Sequence, residues 1–187
     1  MFEQLIACYA RGESWLARWL GPTVLLLMRI WVAIAFWRAG LVKIEDPAGT
    51  QFLFNTVYQV PLLSPDLAAV LGTWVELIMP WLIGFGVAGR LTSLFLFVYN
   101  GIAVISYPAL WPHGFWTGFF NVTDFADHKV WGLMLLAIAA WGPGRWSVDA
   151  IVGYVWRFRL GGMKSKSVIA NPCERRQSAS GATIRRD

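Results

Sequence analysis

Residues 25–43 read LLLMRIWVAIAFWRAGLVK. About 20 apolar residues rising 1.5 Å each suffice to cross a hydrocarbon core of about 30 Å, so this run has the length and character of a membrane-spanning helix. Two arginines, Arg29 and Arg38, interrupt it. An arginine at the centre of a spanning helix costs about 2.5–3.5 kcal/mol on insertion scales. The chain must therefore provide each one with a partner or let its long stem reach the headgroups.

Further apolar segments cover about 67–88 and about 91–110. A fourth, about 123–141, spans only if its polar lead-in TDFADHK forms the first, interface-level turn. The composition agrees: 57% hydrophobic and 14% charged, against about 45–50% and about 25% in soluble domains. The expectation is an all-α integral membrane four-helix bundle with flanking amphipathic interfacial helices. Its parts would be an N-terminal amphipathic segment (1–21), a transmembrane domain ending in a short amphipathic helix (22–160) and a basic, disordered tail (161–187).

The net charge of +5 could suggest nucleic acid, but the excess is local. Lys164, Lys166, Arg175, Arg176, Arg185 and Arg186 crowd the tail against Glu174 and Asp187, which fits anionic lipid headgroups rather than a nucleic-acid groove. The two cysteines, Cys8 and Cys173, form no ligand or redox spacing. Two histidines, His113 and His128, are too few for a dedicated metal site, and no metal is expected.

Charge also predicts orientation. Arg11, Arg18, Arg90 and everything after Gly142 lie at one side of the predicted spans, and Glu45, Asp46, Asp66, Asp124 and Asp127 at the other. Lysine and arginine favour the cytoplasmic side, so both termini should face the cytoplasm.

Within the spans, Arg29, Glu76 and Asn100 are the deep polar residues. Pro80, four residues after Glu76, deprives the Glu76 carbonyl of its intrahelical donor. Arg29 and Glu76 are expected to pair, with Asn100 supporting them. The three then form either a structural clasp or a site for a polar head such as a quinone or a lipid, or a proton-carrying carboxyl. Arg38 and Lys43 are assigned to the outer interface with Asp127 and His128, the last a candidate proton donor. Arg90, Arg145 and Asp149 are assigned to the cytoplasmic end. No catalytic motif is present.

Three stretches together resemble the DoxX family of small four-helix bacterial membrane proteins: RIWVAIAFWRAGLVKI in the first span, Glu76 followed by GFGVAGR, and GPGRWSVD at 142–149. The resemblance covers about 22–150. Arg29, Lys43, Glu76, Arg90, Arg145 and Asp149 occupy its motif positions. It implies a subunit of a quinone-linked or oxidative-stress redox system, with a protein partner in a membrane complex. A quinone is the cofactor it suggests, and none is firmly implied. Two other functions remain open: a non-catalytic assembly or chaperone-like subunit, and a small proton-coupled carrier.

Overall fold

The computed structural model describes residues 2–169. Within them every regular element is a helix: α1 (Phe2–Glu45), α2 (Pro47–Thr56), α3 (Pro65–Phe85), α4 (Gly89–Ser106), α5 (Phe115–Phe120), α6 (Ala126–Trp141) and α7 (Val148–Ile169), with a 3-10 turn at Pro108–Leu110. The chain divides into two compact units, Met1–Asp149 and Ala150–Asp187.

Three helices are long and apolar enough to cross a membrane: Arg11–Glu45 within α1, Pro65–Phe85 and Gly89–Ser106. The amphipathic N-terminus is no separate helix, because α1 continues through Pro22. The side chains from Arg11 to Leu20 are all exposed. At 16 residues, α6 is shorter than the other three.

One face of α1 repeats at helical spacing, with Arg29, Val32, Phe36 and Gly40 all buried. It packs on α3 and α6, and α4 closes the group by packing on α6 and α3. Val32, Phe36, Ile83, Leu96, Leu135 and Ile138 form the shared core. Small residues set how close α1 and α3 come. A Cβ on Gly40 would sit 2.9 Å from the Glu76 carbonyl carbon and one on Gly84 3.6 Å from the Ala33 Cβ. The two helices therefore run antiparallel, with Gly40 opposite Glu76 and Ala33 opposite Gly84.

The first turns of α3 have a different neighbour. Asp46 caps α2, accepting from the Gly49 N–H at 2.8 Å, and Pro47 follows at the first helical position. Phe54 of α2 then packs on Ala68 and Ala69 of α3. Gln51 and Asn55 of α2 donate to Asp66 at 2.8 and 3.0 Å. Thus α2 covers the part of α3 that lies beyond the end of α1.

At the other end, Gly86 closes α3 in the left-handed region (φ +69°), with the Val87 N–H reaching the Leu82 carbonyl at 2.9 Å. Ala88 also takes a left-handed conformation, φ 45°, before α4. In the second unit, α7 continues past Leu160 to Ile169, so the helix invades the segment expected to be disordered. The rest of the basic tail, 170–187, lies outside the described residues.

Candidate functional site

The deep polar residues of α1, α3 and α4 fall into three separate groups. The expected Arg29–Glu76 contact is not made. Glu76 Oε2 accepts from Lys43 Nζ instead, and Glu76 Oε1 accepts from the Tyr99 hydroxyl at 2.9 Å. Tyr99 also lies 3.4 Å from the Gly72 carbonyl. The reason is register. Arg29 sits near Gly86, ten residues down α3 from Glu76, which is about 15 Å along a helix axis. The first turns of α3 pair with α2 rather than α1, which brings Glu76 opposite Gly40, near the end of α1 that carries Lys43.

Arg29 is fully buried and donates through Nη2 to the Trp146 carbonyl at 2.5 Å. Its Nε and Nη1 have no hydrogen-bond partner among the described residues. Beside it, Asp149 in the first turn of α7 is tied to the α3–α4 turn. Its carboxylate accepts from the backbone N–H groups of Ala88 at 2.8 Å and Gly89 at 2.7 Å. Its own N–H donates to the Gly86 carbonyl at 3.2 Å. Asp149 thus caps the start of α4, where unpaired N–H groups and the helix dipole favour an anion. Arg90 reaches the Ala139 carbonyl at 3.5 Å, while Arg145 is exposed.

Asn100 belongs to a third group. Its amide nitrogen donates to the His128 carbonyl at 2.9 Å, and its oxygen lies 2.8 Å from His128 Nδ1. The amide orientation makes Nδ1 the donor, so in a neutral ring Nε2 carries the lone pair. His128 packs edge-on against Trp131 at 4.9 Å. Arg38 and Asp127 are exposed and belong to none of these groups.

The first group, through Lys43 and Tyr99, and the third, through His128, border one cavity of about 380 Å3. Its walls are mainly apolar, and Lys43, Tyr99, His128 and Ser106 are among the residues that line it. Ser106 Oγ is buried without a hydrogen-bond partner among the described residues, the state that an incoming hydrogen-bonding group would relieve. Tyr58 and Tyr107 also line it, their rings edge-to-face at 5.2 Å. Tyr58 lies between α2 and α3, and its hydroxyl pKa is pushed up by burial first, then by Tyr107 and Glu76. It therefore stays a neutral donor. Leu71 and Ile102, both exposed, stand in the wall.

Sequence reasoning missed Ser106 and the tyrosines. The available signal was positional: Tyr99 directly precedes Asn100, and Tyr107 directly follows Ser106 at the end of the third apolar run. Among the described residues, no group of His, Cys, Asp and Glu side chains could hold a metal ion.

Compared with protein families, residues 24–109 match the model described as DoxX. No curated protein and no solved structure matches the chain.

Proposed function

We propose, from the premise that residues 24–109 of this chain belong to the DoxX family, that the protein is an integral membrane subunit of a quinone-linked or oxidative-stress redox system. Its cavity would bind the head of a quinone-like ligand that arrives through the bilayer. The observation that carries this reading is the combination of an apolar chamber of about 380 Å3 with a buried, unpartnered Ser106 hydroxyl. Ligand sites are typically mainly apolar, about 300–1,000 Å3, with a few convergent polar groups.

The residues present fit such a head. Ser106 and Lys43 can donate to its oxygens, and the Tyr99 oxygen and His128 Nε2 can accept from a hydroxyl. Phe54, Tyr58 and Trp131 offer aromatic faces to the ring. A bound quinone would supply the capacity to carry electrons and protons. The chain's own groups hold and orient the head, and Glu76 keeps Lys43 and Tyr99 aimed.

In this reading α6 is a fourth span, completing a four-helix bundle with the ends of its neighbours. Arg11, Arg18, Arg90 and Arg145 mark the cytoplasmic side of an inner membrane, so both termini are cytoplasmic. The basic tail then meets anionic headgroups.

The test is solvent extraction of protein purified from its own membranes, with quinone measured per chain. Wild type retains quinone, and Ser106→Leu, which fills the chamber and removes the hydroxyl, does not. Absence of quinone from both, with a protein partner retained by both, would favour the assembly subunit instead.

A further inference from the structure

Lys43 borders two cavities. One is the apolar chamber. The other, about 220 Å3, is lined by Thr50, Gln51, Asp66 and Thr73 among others. Gln51 and Asp66 are exposed, so the smaller cavity meets the surface at the α2 end of the molecule. Glu76 links the walls of the two: one of its oxygens accepts from Tyr99, a residue of the chamber wall, and the other from Lys43.

A structural ion pair has no need of two differently lined cavities meeting at its cation, nor of a carboxylate bridging a chamber tyrosine to that cation. We infer that Tyr99, Glu76 and Lys43 form a proton relay, connecting the ligand chamber to solvent through the smaller cavity. The inference rests on the ligand reading above and goes beyond it by giving the bound head a defined proton exit.

The step balances as acid–base chemistry. A ligand hydroxyl gives its proton to the Tyr99 oxygen as Tyr99 passes its own proton to Glu76 Oε1. Lys43 releases a proton to solvent in the smaller cavity and regains one from Glu76. One proton has then moved from ligand to solvent and the ligand is left as an oxyanion. Tyr99, Glu76 and Lys43 end as they began, and no electron is transferred. The reverse sequence protonates the ligand.

The titratable groups around Glu76 are few. Lys43 faces it from α1, Tyr99 from α4, and Tyr58 acts on it from the segment before α3. His128 of α6 lies across the chamber. α2 contributes no titratable side chain, and on α3 itself Asp66 lies at the smaller cavity's mouth.

The probe is an alkyl 2-hydroxy-1,4-naphthoquinone, whose visible absorbance changes when its hydroxyl ionises. The full chain in lipid vesicles is loaded with probe and given a sudden rise in pH, and ionisation of bound probe is followed by stopped flow. The decisive variant is Thr73→Leu, which fills the smaller cavity without touching the chamber. It should bind probe as wild type does, yet ionise it about tenfold or more slowly. Glu76→Gln should slow ionisation at least as much. Wild-type ionisation rates in both variants would overturn the relay while leaving the ligand reading intact. Should Glu76→Gln not fold, the Thr73→Leu rate decides alone. Failure of wild type to bind the probe would overturn the ligand reading and the relay with it.

Discussion

Arg29 and Lys43 lie on the same side of α1, fourteen residues apart, and both meet α3. Their surroundings differ in kind. Arg29 is enclosed by backbone: the Trp146 carbonyl takes one nitrogen, and Gly86 and Ser147 crowd the space beside it. Lys43 faces a carboxylate and stands at the border of two cavities. A charge packed against backbone holds chain segments together. A charge paired with another titratable group beside open space can exchange protons or meet a ligand. Burial alone does not separate the two roles; the partner and the adjoining volume do.

The strongest challenge to the Arg29 end is Gly86→Val. Its backbone is left-handed, and a Cβ there would overlap the Arg29 guanidinium and Ser147. The conformational cost and the overpacking together should remove about 3–4 kcal/mol. Thermal unfolding in detergent should register this loss. If Gly86→Val melts with wild type, the tight Arg29 end is wrong.

Smaller and more discriminating is a pair of double-mutant cycles on Glu76→Gln. Removing the carboxylate leaves the Lys43 ammonium, about one-fifth exposed, without its counter-charge. The expected loss is about 1–3 kcal/mol. Lys43→Met in the same chain should restore much of it. Arg29→Met combined with Glu76→Gln should instead be additive within about 0.5 kcal/mol, since the two sites share no partner. Strong coupling in the second cycle, with none in the first, would restore the pairing that sequence suggests.

The smallest effect is expected at Arg38. It is exposed and belongs to neither end, so Arg38→Gln should leave stability within about 0.5 kcal/mol of wild type. A larger shift in the same melting assay would mean that Arg38 has a partner of its own.

The three longest apolar runs were legible because membrane-spanning length and hydropathy are local properties of the chain. So was the importance of Glu76, from the expense of a carboxylate in an apolar run. The α3–α4 hairpin was visible as well, since only Gly89 and Arg90 separate the two apolar runs, although the turn itself falls at 86–88. Asp149 was legible as a residue of interest, but its task was not. It caps a helix some sixty residues earlier in the chain, and no local pattern encodes that reach.

What the amino-acid sequence determined by itself is therefore the helical membrane-type architecture, a match of residues 24–109 to the DoxX model, and which polar residues sit on inward faces. These follow from periodicity and transfer free energy, which act residue by residue. Tertiary structure decided who pairs with whom. Axial register sends Glu76 to Lys43 and leaves Arg29 to the Trp146 carbonyl. It was set by small-residue contacts at Gly40 and Gly84 and by α2 covering the first turns of α3. The cavities were decided there too, because an enclosed volume is a property of several helices at once. Neither Ser106 nor Thr73 carries any mark in the chain of the space that each one faces.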